Sequence, residues 1–410
     1  MRWIVLTLFL AALVTDTYIY RSLIAVRVRR VRMRLWYIVF AVVSDGAALT
    51  ALTIYGASGR GGHIGIVSVM WLVWLFFLTF VPKALYTVGG VADYGLGRIL
   101  RRRVWPLRCA GLVLSAVVMT VMICGATVGR TRTRVKQVEV CSPRVPAAFD
   151  GYRIVQFSDV HIGTMMRPAA QLGRLAETVA GLGADMVVQT GDLVNISHEE
   201  LSPELVAILG TIDAPDGVWG AWGNHDLGFY IRPGSGLTPE ENFARLTEKI
   251  EATGWGMLSD RSTWIRRGGD SILLTGLDYP HDRRLNSHNE TLAGADIGAA
   301  FERVEGDPFN VVLAHTPRLW GQIVERGRGD VVLSGHVHAM QTKLRLLRRE
   351  WSPAQYMYDE WSGKYTSGGE QNGGQKNSML YVNDGIGCVG YPMRIGARGE
   401  ITVITLKRCE

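Results

Sequence analysis

Cysteine is scarce in this chain, and acidic residues are almost missing from one part of it. Five cysteines occur: Cys109, Cys124, Cys141, Cys388 and Cys409. None stands in a C-x-x-C pair, which argues against a zinc ribbon or a thioredoxin-like redox motif. Residues 1–136 hold three Asp/Glu against 18 Lys/Arg, whereas residues 137–410 hold 34 against 26. The overall charge of +7 therefore joins a basic, apolar first third to a mildly acidic remainder. That distribution does not suit a nucleic-acid-binding surface. A G-x-x-x-x-G-K-[ST] phosphate loop is also lacking, which argues against nucleotide-driven work of that kind. The glycines within residues 56–62 fall between two apolar runs and read as a loop.

What the first third does contain is long hydrophobic runs. Trp3–Tyr20, Leu35–Tyr55, Ile64–Val81 and Cys109–Val128 are each close to the roughly 20 residues that cross a bilayer as a helix. They predict an all-α transmembrane region of about four helices over residues 1–129, followed by a basic linker at 130–137. The positively charged region before the first run is only Met1-Arg2, and further runs follow, so a cleaved signal peptide does not fit. Trp36, Tyr37, Tyr55 and Trp105 stand near run ends, where amphipathic rings favour the interface.

Charge predicts the orientation. The segments after runs one and three carry 12 Lys/Arg, among them Arg27, Arg29, Arg30, Lys83, Arg101 and Arg102. The opposite side carries six: Arg2, Arg60, Arg130, Arg132, Arg134 and Lys136. Positive charge is retained in the cytoplasm, so a multi-pass protein with both termini and the remaining domain outside is expected. The lipid bilayer is thus the first expected partner. Asp45 lies within the second run, where a carboxylate is a functional candidate or forms a polar contact between helices near Ser44. With Asp16 it completes the ionisable residues inside the runs, too few to favour a transporter.

From Val138 onward the pattern alternates between strands and helices, which predicts an α/β domain over 138–410. Strands are expected at Tyr152–Phe157, Asp185–Gln189, Val218–Trp222, Ser271–Thr275, Asn310–Ala314 and Asp330–Leu333. Helices are expected at Ala170–Leu182, Leu201–Ile212 and Pro239–Thr253, the first with Leu172, Leu175, Val179 and Leu182 on one stripe. Residues 345–378 break the alternation and read as a long surface excursion that reaches over the site. Cys141 and Cys409 end the first and last strand patterns. They can pair if those strands are neighbours in an oxidising compartment.

Polar residues follow five of the strands. The stretch "SDVHIG" holds Asp159 and His161, "TGDLVN" holds Asp192, and "GNHD" holds Asn224, His225 and Asp226. "LAHTP" holds His315, and "SGHVH" holds His336 and His338. Five of nine histidines fall in these places. Alone, each stretch is an ordinary turn, N-cap or structural histidine. Together they supply oxygen and imidazole ligands without thiolate, a set suited to Mn, Fe or Zn. Seven candidate ligands are too many for one ion and suit two when one carboxylate bridges. Glycines before Asp192, Asn224 and His336 allow close backbone approach.

In their order, these motifs resemble the calcineurin-like metallophosphoesterase superfamily, in its bacterial membrane-anchored branch. The resemblance spans roughly residues 138–410. It implies a four-layer α-β-β-α sandwich and two divalent metal ions. By resemblance, Asp159, His161 and His338 hold the first ion, Asn224, His315 and His336 hold the second, and Asp192 bridges both. His225 would face the substrate phosphate, with Asp226 orienting its ring. The implied activity is hydrolysis of phosphodiester, pyrophosphate or phosphomonoester bonds by a hydroxide held between the ions. Lipid-linked or envelope phosphoesters suit the membrane placement. Relatives include UDP-diacylglucosamine pyrophosphatases, although a nucleotide-sugar precursor is cytoplasmic and the domain is expected outside. Ala339 and Met340 depart from the glycine pair that often follows the last motif, which leaves the ligands intact and puts substrate access at that turn in question. The alternative is a catalytically silent, metal-binding membrane sensor or scaffold with the same fold. It predicts a lost ligand, and all seven are present.

Overall fold

A computed structural model describes residues 2–58, 63–102, 104–231, 235–279, 295–347, 349–367 and 377–409. The chain divides into two compact units, residues 1–128 with 390–395 and residues 129–389 with 396–410.

The first unit is helical. It contains α1 (Arg2–Ile19), a short α2 (Ala25–Arg27), α3 (Val31–Ser58), α4 (His63–Leu100) and α5 (Pro106–Cys124). Among the described residues, three helical stretches are long and apolar enough to cross a membrane: Leu6–Arg27, Gly65–Leu100 and Pro106–Gly129. The expected second span lies on α3, whose side chains from residue 48 onward fall outside the described residues, as do residues 59–62 of the expected loop.

One expectation changes at α4. The third apolar run was expected to end at Val81, yet the helix continues through Pro82 to Leu100, 38 residues in all. That is about 57 Å at 1.5 Å per residue. Pro82 lacks the amide that would close on the Leu78 carbonyl, yet the helix continues through it. Here Ser115 donates to the Pro82 carbonyl at 2.7 Å. Close approach of α4 and α5 depends on Gly111, where an added Cβ would press on the Leu85 carbonyl. The N-terminus of α5 is held by Asp93, which accepts from the Leu107 and Arg108 amides at 3.1 and 2.8 Å.

The extension moves Lys83 from an expected loop into the helix. Its ammonium lies 2.8 and 2.9 Å from the two Asp16 carboxylate oxygens and 3.9 Å from Asp45. Tyr37 donates to Asp16 at 2.8 Å. Asp45 thus makes a contact between helices, and Ser44 donates to it at 3.3 Å.

The second unit is a sandwich. One six-stranded sheet has the order β1 (Thr133–Ser142), β14 (Gly399–Arg408), β2 (Arg153–Phe157), β3 (Met186–Thr190), β4 (Val218–Ala221), β5 (Gly256–Met257). The other has the order β12 (Gly363–Ser367), β13 (Ser378–Val382), β9 (Val331–Ser334), β8 (Asn310–Ala314), β7 (Asp270–Leu277), β6 (Arg261–Arg267). Ile154, Met186, Val188, Leu274, Val311, Leu313 and Leu333 form the core between the sheets. The outer face of the first sheet buries Val155, Phe157 and Val187 against α6 (Pro168–Ala180), α7 (Pro203–Leu209) and α8 (Pro239–Glu251). The outer face of the second buries Leu273, Val312 and Val332 against α9 (Ile297–Phe301) and α10 (Trp320–Glu325). These are the four α-β-β-α layers expected. Strands buried on both faces read as continuous apolar runs, which is why β2, β3, β8 and β9 were legible in the sequence.

Two boundaries differ from expectation. Residues 133–136 of the expected linker belong to β1, which pairs in parallel with β14. Arg134 reaches Asp384 at 2.7 Å and Glu400 at 2.9 Å, and Lys136 reaches Glu400 at 2.8 Å. Their charge neutralises fully buried carboxylates, so a basic string that read as a linker is a strand edge. The expected excursion contains a hairpin, β10 (Leu344–Leu346) with β11 (Arg349–Trp351), and the edge strand β12. Its glycine-rich part, 368–376, lies outside the described residues. Cys141 and Cys409 are disulfide-bonded, because the β1–β14 register sets Cys141 beside Lys407, close to Cys409.

Candidate metal centre

The parallel strands of both sheets deliver their carboxyl ends to one place. The loop after β2 is tied to the loop after β3, with the Asp159 amide donating to Gly191 at 2.9 Å and the His161 amide to Asp192 at 3.1 Å. The loops after β8 and β9 are tied by the Gly335 amide to the His315 carbonyl at 2.9 Å. The sheets are tied to each other by the His336 amide, which donates to both Asp159 carboxylate oxygens at 3.0 and 3.1 Å. Gly335 makes that approach possible, since a Cβ there would overlap Ser158 Oγ and Asp159.

These loops bring the expected residues together in two overlapping clusters. In the first, His338 Nε2 is 3.2 Å from Asp159 Oδ1 and 3.1 Å from His161 Nε2. In the second, His315 Nε2 is 3.1 Å from Asp192 Oδ2 and 3.2 Å from His336 Nδ1. Asp192 Oδ2 stands between them, 3.8 Å from His161 Nε2 as well. The two histidines of "SGHVH" therefore join different clusters. Each three-residue set, Asp159/His161/His338 and Asp192/His315/His336, has the spacing of a metal site. Asn224, the remaining expected ligand, stands next to His225, whose amide donates to Asp192 Oδ1 at 2.9 Å. Asn224 Nδ2 donates to the Tyr230 hydroxyl at 3.2 Å, while its buried Oδ1 has no hydrogen-bond partner. A carboxamide oxygen held in that way suits a cation.

The electrostatics point the same way. Burial alone would raise the Asp159 carboxyl, but the His338 and His315 rings outweigh it and hold it below the usual range. Asp192 is likewise held well below its ordinary value, by His315 and His225 against burial. Burial keeps His161 and His225 neutral, lowering both. Burial also lowers the proton affinity of His315, and Asp192 more than reverses this, to about 10. The cluster thus sets ionised carboxylates against imidazoles, one of which, His315, is held protonated by Asp192; with that proton displaced, the donors suit a hard or borderline divalent ion.

The backbone carries strain here. Asp159, His161, Asp192, His336 and His338 all have φ between 46° and 70°. Non-glycine residues rarely adopt that region, and such strain collects at functional sites. Ala339 and Met340, where the resemblance led to an expectation of glycine, keep φ of 48° and 43°. The turn therefore holds a glycine-like path despite its side chains. It is pinned by Ser352, which donates to the Ala339 carbonyl at 2.7 Å.

The expected role of Asp226 changes. Its carboxylate accepts from the backbone amides of Asp192, Leu193, Val194 and Gly223 at 2.7–3.1 Å. It does not touch the His225 ring. The ring is oriented by Asn195, whose carbonyl lies 2.5 Å from His225 Nδ1, leaving Nε2 facing Asp192 at 3.9 Å. Asp226 anchors loops, and burial with the Asp192 charge raises it to about 7.

Sequence reasoning missed four neighbours. Glu200 accepts from the amides of Gly163, Asn195 and Ile196 at 2.6–2.9 Å and so fixes the loop that holds His225. Its only sequence signal is the S-x-x-E capping box with Ser197. Tyr230 stacks on His225 at 4.1 Å. Tyr279 faces the His336 ring at 5.5 Å. Tyr358 brings its hydroxyl to 3.3 Å from His336 Nε2. No pattern marks these three tyrosines, because each reaches the site only through tertiary packing.

Comparison with known proteins agrees with this geometry. Residues 152–340 match the family model described as calcineurin-like phosphoesterase. A zebrafish (Danio rerio) "transmembrane protein with metallophosphoesterase domain" is 28% identical over 72% of this chain and 62% of its own length. The metallophosphoesterase YkuE of Bacillus subtilis is 27% identical over 65% of this chain and 82% of its own. The UDP-2,3-diacylglucosamine pyrophosphatase LpxG of Chlamydia muridarum is 27% identical over 60% of this chain and 80% of its own. The chain thus spans less than two thirds of the zebrafish relative and about four fifths of the two bacterial ones.

Proposed function

Starting from the calcineurin-like phosphoesterase family, to which residues 152–340 assign this chain, we propose that it is a membrane-associated, dinuclear metal-dependent phosphoesterase. The observation that carries the reading is Asp192 Oδ2, which stands between His161 and His315 at 3.8 and 3.1 Å and so between the Asp159/His161/His338 and His315/His336 groups. Asp159, His161 and His338 would hold one ion, Asn224, His315 and His336 the other, with Asp192 common to both. Two divalent ions (Mn, Fe or Zn) would supply an activated water and offset charge on the phosphoryl oxygens.

The remaining work falls to this chain's own residues. His225 Nδ1–H is committed to the Asn195 carbonyl. Nε2, unprotonated in that neutral ring, is then left open as a base that could take up a proton at the site. Tyr230 holds the ring from one side and orients the Asn224 carboxamide from another. Burial of the cluster strengthens every electrostatic contact made there.

Two observations support an extracytoplasmic domain. A Cys141–Cys409 disulfide belongs in an oxidising compartment. The charge bias also sharpens. Arg134 and Lys136 are neutralised inside the domain and Lys83 inside the helices. Of the 12 against six positive residues, 11 against four remain to bias the topology. A substrate on that side, within reach of an anchored enzyme, is a phosphodiester or pyrophosphate with a lipid half. The Chlamydia relative is named for a pyrophosphate with a lipid half, though a nucleotide-sugar one that belongs to the cytoplasmic side.

The test is hydrolysis of bis-p-nitrophenyl phosphate by the purified full-length protein with Mn²⁺. Asp192→Ala should lower turnover by about 10³-fold or more, as loss of a group common to both ions implies, and reduce bound metal. Equal hydrolysis by variant and wild type rejects the reading. Two bound ions with no turnover on any phosphoester favour the silent scaffold.

A further inference from the structure

The β10–β11 hairpin is left unexplained by the catalytic reading. Residues 344–351 read LRLLRREW, four large apolar residues and three arginines around one glutamate. The hairpin is short and edge-on, with Leu344 paired to Trp351 and Leu346 to Arg349. Leu347, at its tip, is 98% exposed. A large aliphatic side chain held wholly in water by a left-handed turn residue (φ 58°) is an unfavourable way to end a hairpin. Leu344, Met340, Tyr356 and Met357 extend the exposed apolar surface. Arg345 and Arg349 are exposed beside them. The hairpin's single acid, Glu350, is paired with Lys343 at 2.9 Å, so the face is net positive.

We propose that this hairpin docks on the surface of an anionic lipid bilayer, with Leu347 and its apolar neighbours entering the headgroup boundary and the arginines meeting lipid phosphates. Apolar side chains rimmed by arginine are the composition of interfacial membrane segments, because long basic chains place their stems in the apolar layer and their charge among headgroups. Each arginine near an anionic leaflet adds attraction. The occupant is argued from this chain itself. It carries helices apolar enough to cross a membrane, and a tether makes a second, weak membrane contact effectively intramolecular. The hairpin is also coupled to the metal centre at both ends. β10 begins six residues after His338, and the turn that follows β11 delivers Tyr358 to His336. Docking would hold the opening of the site at headgroup depth. This consequence rests on the catalytic reading, but the docking itself does not.

The experiment uses full-length protein in lipid nanodiscs, without turnover or added metal. Cys109→Ser and Cys124→Ser remove the exposed thiols, and a nitroxide is attached at Leu347→Cys. A second nitroxide at exposed Thr211→Cys serves as control. In discs of phosphatidylcholine with about 30 mol% phosphatidylglycerol, an anionic surface of the kind that attracts arginine, the 347 label should shift toward oxygen accessibility and away from a water-soluble nickel chelate. The control label should stay water-like. The double variant Arg345→Glu with Arg349→Glu should reverse the shift, with an unchanged circular dichroism spectrum. A 347 label as water-accessible as the 211 label overturns the proposal. So does dipolar broadening between 347 labels that persists in detergent, which would mean that a second copy covers the face.

Discussion

The two units of this chain each bury a cluster of charge, and the clusters are built on opposite principles. In the helical unit, Asp16 and Asp45 meet Lys83, and Tyr37 donates a hydrogen bond. The cation is a side chain, and the cluster is closed. In the sandwich, the side chains that face the Asp159 and Asp192 carboxylates are imidazoles, with His161 and His338 turning Nε2 atoms toward each other at 3.1 Å. Among the described residues no lysine or arginine pairs with those carboxylates, and the cation beside Asp192 is the protonated His315 ring. Buried carboxylates therefore do not by themselves mark a site. What distinguishes the sandwich cluster is that its balancing charge is a proton on an imidazole, which a divalent ion could replace, rather than a fixed ammonium.

Chelation should separate the two most strongly. Binding at a thousandfold excess over Kd contributes about 4 kcal/mol per ion. EDTA should therefore lower the melting transition of the sandwich by many degrees and leave helical melting in detergent unchanged. A chelator-insensitive sandwich would make its cluster as closed as the helical one. Next in size is Lys83→Met, which strands two carboxylates and should cost the helical unit about 3–5 kcal/mol. Adding Asp16→Asn should recover part of that loss in thermal unfolding. If Lys83→Met is neutral, the pair is not the closed network described.

Glu200 lies beside the open cluster but is closed by backbone amides, and it gives the comparison a pH test. Burial raises its carboxyl from 4.5 to about 7. The native state then holds a proton that the unfolded state has released. Stability from this group is complete below pH 4.5 and falls as pH rises toward 7, by about 3 kcal/mol at 1.36 kcal/mol per unit. Glu200→Gln should abolish that part of the slope in urea titrations at fixed metal. An unchanged slope would assign it elsewhere. The smallest expected effect is at the strained turn. Met340→Gly relieves a left-handed methionine and should stabilise by about 1 kcal/mol, read as a raised urea midpoint with metal content unchanged. Destabilisation would mean that the methionine side chain itself contributes.

The legible part of this molecule was the part written in local pattern. Strands β8 and β9 and helix α6 appear as apolar runs and a leucine stripe, and the candidate ligands follow strands at recurrent positions. The start of β1, residues 133–136, was hidden because the partners that neutralise Arg134, Asp384 and Glu400, are 250 and 266 residues away. The length of α4 was hidden because Pro82 reads as a stop, yet the helix runs through it. Asp226 looked like the partner of its neighbour His225, yet its carboxylate turns back to four backbone amides, an arrangement invisible without coordinates.

The sequence alone determined the chemistry on offer: which donor atoms follow which strands, that thiolate is not among them, and that the first third is too apolar and too basic to be ordinary soluble domain. These follow from residue type and periodicity, which are local properties. Only the tertiary structure decided how the donors divide into two sets around Asp192, what holds the His225 ring, and which arginines and lysines are spent inside the protein. Those depend on distances between residues far apart in the chain, set by the register of two packed sheets and by helix contacts that no local pattern encodes.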